Sequence, residues 1–85
     1  MYLHLGKGWV VSGSEIIAIF DLDNSSQSHI TRKFLSEAEK AGQVINAAED
    51  IPKSFIVTER KNTRRVYLSQ MASATLLKRW ESGTM

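Results

Sequence analysis

Two runs rich in β-branched and aromatic residues, Lys53-Ser54-Phe55-Ile56-Val57-Thr58 and Arg64-Arg65-Val66-Tyr67-Leu68-Ser69, stand on either side of a short polar segment. Runs of this kind, separated by a few polar residues, close into a β-hairpin. That commits the chain to an antiparallel sheet, and everything else must cover it. Pro52, the only proline, comes just before the first run. Proline cannot donate to a strand ladder, so it suits the opening of a strand rather than its middle.

Other segments supply the rest of the sheet and its cover. Residues 2–5 alternate, with Leu3 and Leu5 on one side, and Trp9-Val10-Val11 follows the turn Gly6-Lys7-Gly8. Both read as short strands. The run Glu15-Ile16-Ile17-Ala18-Ile19-Phe20-Asp21 is almost continuously apolar, which predicts a central strand covered on both faces. A polar loop over 22–27 leads to a helix capped by Ser28 and stopped by Gly42, since serine suits an N-cap and glycine the residue after a helix. Ile30, Phe34, Leu35, Ala38 and Ala41 fall on one face of that helix. Residues 43–47 predict one more strand, and residues 73–80 a short helix burying Leu76, Leu77 and Trp80. Strands that outnumber helices, with short connections, predict an α+β fold. It is a small, mostly antiparallel sheet with one main helix and a short C-terminal helix, as one domain over 1–85.

A core built from 85 residues buries only about 60–65% of the unfolded surface, so such domains are usually reinforced. The chain has no cysteine and only two histidines, His4 and His29. Disulfides, thiolate zinc and iron–sulfur clusters are thereby excluded, and a histidine metal site is poorly supplied. Self-association is the reinforcement that remains. The N-terminal residues do not read as a signal peptide, and the apolar run 16–20 is far short of the roughly 20 residues of a membrane helix. The expectation is a cytoplasmic protein without a membrane partner. Residues 1–42 hold four Lys/Arg against five Asp/Glu, and residues 43–85 hold seven against four, a net of −1 followed by +3. This leans mildly toward anionic partners.

Catalytic and cofactor motifs are weak. Asp21-x-Asp23-x-Ser25 imitates the start of a calcium loop, but Ser26 and Arg32 occupy the positions that need glycine and glutamate. Gly6-Lys7-Gly8 lacks the rest of a phosphate-binding fingerprint and reads as a turn. Neither histidine has a companion serine marked by motif, and Glu37 and Glu39 point in different directions on the helix. No enzyme and no cofactor is expected. Two basic features carry more. Arg32-Lys33 sits near the start of the main helix, where cations oppose the dipole but free N–H groups attract an external anion; the competing reading pairs Lys33 with Glu37. The segment 60–65 holds Arg60, Lys61, Arg64 and Arg65 at the hairpin turn. A two-stranded ribbon can reach into a DNA groove, with Asn62 facing base edges. Alternatively, the same charges keep a sheet edge soluble.

The motifs Met1-Tyr2-Leu3-His4-Leu5-Gly6, Glu15-Ile16-Ile17-Ala18-Ile19-Phe20-Asp21, Ile30-Thr31-Arg32-Lys33-Phe34-Leu35, Pro52-Lys53-Ser54-Phe55-Ile56-Val57-Thr58, Val66-Tyr67-Leu68-Ser69 and Ser73-x-Thr75-Leu76-x-Lys78-Arg79 occur in this order over about residues 1–80. In order and spacing they resemble the RemA/RemB family of bacterial extracellular-matrix regulators, most closely its RemB branch. The resemblance implies a small cytoplasmic regulator of biofilm-matrix gene transcription. It also implies a RemA-like fold, similar to LytTR-type DNA-binding domains, with subunits closed into a ring whose basic rim follows double-stranded DNA. Arg32, Lys33 and Lys53 match basic positions of RemA. The chain departs from that pattern at Glu15, and at Asp50 and Ile51, where RemA carries arginines. The expected DNA-binding set is therefore Arg32, Lys33, Lys53, Arg60, Lys61, Arg64 and Arg65, on a homo-oligomer. The alternative is an oligomer that regulates through protein partners without touching DNA.

Overall fold

The hairpin is the centre of the molecule. In the computed structural model, which describes residues 1–22 and 29–83, strands β1 (Tyr2–Gly6) and β2 (Trp9–Ser12) form a small antiparallel ribbon. A single 3-10 turn, Gly13–Glu15, leads into β3 (Ile16–Asp21). Helix α1 (His29–Lys40), β4 (Val44–Asn46), β5 (Ser54–Arg60), β6 (Thr63–Ser69) and helix α2 (Ser73–Gly83) follow. Strands β3, β5, β6 and β4 make one four-stranded sheet in that order, antiparallel except for the β4–β6 pair. The α+β expectation holds. The expected loop at 22–27 and the Ser28 cap lie almost wholly outside the described residues, as do Asp23 and Ser25 of the calcium-like motif. Among the described residues no helix is long and apolar enough to cross a membrane.

Strand alternation gives the sheet two apolar faces, and each has its own cover. On one face Ile16, Ile56 and Tyr67 pack with Leu3, Leu5 and Val11 of the ribbon and with Leu76 of α2. On the other, Phe55, Val57 and Val66 pack with Ala38 of α1, flanked by Phe34 and Leu35. Buried polar groups are tied in. Ser69 Oγ donates to the Leu5 carbonyl at 2.7 Å and accepts from Met71 N–H at 3.1 Å. Its register partner Ser54 donates to the Met71 carbonyl at 2.8 Å. Trp80 Nε1 donates to the Gly13 carbonyl at 2.9 Å and anchors α2 beside the 3-10 turn.

Three expectations need correction. β3 is an edge strand, not a central one, because among the described residues only β5 pairs with it. Its apolar run is continuous because the register shifts between Ile16 and Ala18; the bulge inserts Ile17, which is 53% exposed. The stripe on α1 is narrower than its spacing suggests, since Ile30 is 79% exposed and Ala41 is exposed as well. In α2, Leu76 is fully buried but Leu77 is exposed.

Candidate functional site

The β5–β6 loop has two residues, Lys61 and Asn62, with φ of 49° and 66°. Left-handed conformations at both positions are those of a type I′ turn, which matches the twist of the flanking strands. The segment 60–65 is therefore mostly strand, and only Lys61 among its four cations stands in the turn. Pairing decides where the others point. Arg60 lies opposite Thr63, and Thr58 opposite Arg65, on the face that carries Ile56 and Tyr67. Arg64 lies opposite Glu59 on the α1 face, with Val57 and Val66. The basic cluster is split across the sheet.

Two of its arginines meet carboxylates. Arg60 Nε lies 3.3 Å from Glu15 Oε2, with side-chain exposures of 72% and 28%. Arg64 Nη2 lies 3.4 Å from Glu59 Oε1, both well exposed. Pairs this exposed are worth about 0–1 kcal/mol, so neither holds the fold together, but each offsets a cation locally. Among the described residues Lys61 and Arg65 form no ion pair.

Arg32, Lys33 and Lys53 lie elsewhere. Lys53 precedes β5 and bonds through its N–H to the Ser69 carbonyl at 2.8 Å, at the end of the sheet remote from the turn. Phe34 of α1 stacks near Phe55 at 6.1 Å, close to that same end. The far end of α1 meets the turn: Ala41 and Gly42 border a shallow depression with Asn62 and Arg64, and Val66 N–H bonds the Gln43 carbonyl at 2.8 Å. The helix, about 18 Å long by its rise per residue, thus places Arg32 and Lys33 at the Lys53 end. All three are exposed, and among the described residues none is in an ion pair; the Lys33–Glu37 pair of the competing reading does not form. Asp50 and Ile51 belong to this end too, the Asp50 carboxylate accepting from Ile51 N–H at 2.9 Å. The seven basic residues therefore make two groups, separated by the length of β5, about 23 Å at strand rise.

Sequence reasoning missed the acidic partners and a cleft. Glu59–Arg64 follows at once from a two-residue loop, had that length been assumed. Glu15–Arg60 depends on the β3–β5 register, which no local pattern encodes. The cleft, between the two β-hairpins, is lined by Trp9, Tyr67, Thr58 and the cations of the turn. Among the described residues no cluster of acidic, histidine or cysteine side chains is arranged to hold a metal.

Residues 2–80 match the RemA-like family, described as extracellular matrix regulatory protein A-like. The chain belongs to that family. The chain is also similar to extracellular matrix regulatory protein B of Bacillus subtilis (strain 168), with 37% identity over 79 residues, 93% of this chain and 89% of that protein. The RemA/RemB resemblance read from the ordered motifs is therefore borne out. Arg32, Lys33 and Lys53, the basic positions expected from the resemblance, lie toward one end of the sheet in this RemA-like chain.

Proposed function

We propose that this RemA-like protein regulates extracellular-matrix gene expression as a cytoplasmic homo-oligomer that binds double-stranded DNA through the end carrying Arg32, Lys33 and Lys53. The observation that carries the reading is the exposure of these three cations toward one end of the sheet, none of them in an ion pair among the described residues. The first turn of α1 has no acidic residue, so no carboxylate there offsets Arg32 and Lys33 or the helix dipole. Arg64 and Arg65, at the other end, extend the contact only if a second surface or subunit brings them to the duplex; Arg60 and Lys61 stand with them.

Fluorescence anisotropy on a labelled duplex tests this. Wild type is expected to bind at micromolar protein in ~50 mM salt and to weaken steeply as salt rises. Arg32→Ala/Lys33→Ala should flatten the log–log salt slope by about 1.8, at about 0.9 per lost phosphate contact. Arg64→Ala/Arg65→Ala should change it little. No binding at ~50 mM salt by wild type would reject the DNA reading, since even non-specific binders register there. A second reading, regulation through protein partners alone, is favoured by the open β3 edge, where Ile17 and Phe20 are half exposed, and by the carboxylates on Arg60 and Arg64.

A further inference from the structure

We propose that the cleft between the β1–β2 and β5–β6 hairpins is a binding site for a small nucleotide, with its base against Trp9 and its phosphate on Arg65 and Lys61. The cleft has a volume of about 360 Å³, at the small end of the roughly 300–1,000 Å³ typical of small-molecule sites. That size suits one nucleotide better than a strand. The inference does not depend on DNA binding at the Lys53 end.

The walls divide by chemistry. Trp9 and Val10 form an apolar side, each more than one-third exposed although both are large. Trp9 leans on Tyr67 with ring centroids 5.8 Å apart at 60°, so one ring edge is held while the indole still borders the cleft. A held, accessible indole is a stacking platform for a planar ring. Facing it are Lys61 and Arg65, neither in an ion pair among the described residues. Arg60 is beside them, held by Glu15 at 3.3 Å. The lining therefore carries three cations and one carboxylate, which selects an anion.

Tyr67 and Thr58 add hydroxyls to the same lining. Tyr67 is only 5% exposed, yet its hydroxyl makes no hydrogen bond among the described residues. Among the described residues no buried polar side-chain atom is left without a partner, so this hydroxyl lies at an accessible point, and the space that Tyr67 lines is the cleft. Thr58 adds a weakly engaged hydroxyl, 3.4 Å from the Arg65 carbonyl. Two hydroxyls thus join the cations and the indole in one lining, the set that reads a base together with a phosphate.

The test titrates the full-length protein with purine and pyrimidine nucleoside mono- and diphosphates, the matching nucleosides, inorganic phosphate and short single-stranded DNA. Calorimetry and tryptophan fluorescence follow binding. At least one nucleotide should bind saturably, with its nucleoside and inorganic phosphate each at least about tenfold weaker because each lacks half the contacts. Trp9→Phe should abolish the fluorescence change, because Trp80 is tied to Gly13 in α2's anchor. Arg65→Ala and Tyr67→Phe should each weaken the nucleotide about tenfold, and Tyr67→Phe should leave the unfolding midpoint unchanged because its hydroxyl has no protein partner. Arg64→Ala, on the other sheet face, and Arg32→Ala/Lys33→Ala should leave nucleotide affinity as it was. Three results would overturn the proposal: no saturable binding at millimolar nucleotide, equal affinity for inorganic phosphate, or single-stranded DNA binding more tightly than any free nucleotide.

Discussion

At Gly6 the chain has φ of +126°, and a Cβ placed there would stand 2.5 Å from the Ala47 carbonyl oxygen. The first condition strains any L-residue, and the second pushes β1 off the residues after β4. Gly8, two residues on, has φ of +78° but nothing within 4 Å of the same position. The pair separates strain from crowding. Gly8→Ala should cost about 1 kcal/mol for the left-handed backbone alone, and Gly6→Ala roughly 3 kcal/mol or more. Urea unfolding at one fixed protein concentration measures both; equal costs would mean that the contact with Ala47 relaxes freely. The turn Gly6-Lys7-Gly8 was legible in the sequence as a turn, but the close approach to Ala47 was not. Sequence locates a glycine, whereas tertiary packing decides what its missing side chain makes room for.

Among the elements, the β5–β6 hairpin was the most legible and β3 the least, for related reasons. Two β-rich runs around a polar segment leave few alternatives to antiparallel pairing, even without the Asn-Gly that usually marks a tight turn. The loop holds Lys61 and Asn62, both with positive φ, so a side chain without local hydrogen bonding occupies a position that favours Asn or Gly. Lys61→Asn/Asn62→Gly should therefore raise stability by about 0.5–1 kcal/mol. Thermal unfolding checks this; a lower midpoint would show that the Lys61 stem packs on the cleft. For β3, alternation is the usual guide to whether one or both faces are covered. The bulge at Ile17 breaks that alternation, so the run resembles a doubly covered strand while one edge stays open. Helix α1 was misjudged differently. Its apolar spacing extends to Ile30 and Ala41, but among the described residues the core on that face takes in Phe34, Leu35 and Ala38 of the stripe.

Across the whole molecule, two apolar layers on one sheet bury the small core, yet several large apolar side chains stay at the surface. Ile17, Ile30 and Ile51 are each more than half exposed, and Phe20 is 40% exposed. Under the oligomer reading, they cover one another between subunits. Sedimentation velocity should then show a species larger than one chain, and the unfolding midpoint should rise with protein concentration by mass action. Ile17→Lys should shift the distribution toward monomer. A monomer whose midpoint ignores concentration would remove self-association from the proposal. The seven basic residues could be picked out from the sequence as candidates; their division into two ends could not, because it depends on the direction of α1 and the register of β5 with β6. The first strands are fastened by groups that emerge late: Ser69 Oγ holds the Leu5 carbonyl from 64 residues downstream, and Trp80 holds Gly13 from 67. Such distant contacts pay their loop entropy before they gain anything, which slows folding. On the ribosome, Leu3, Leu5 and Val11 must wait uncovered until nearly the whole chain has been made. During that interval they are a natural target for holdase chaperones, and a polypeptide cut short before α2 leaves them to proteases.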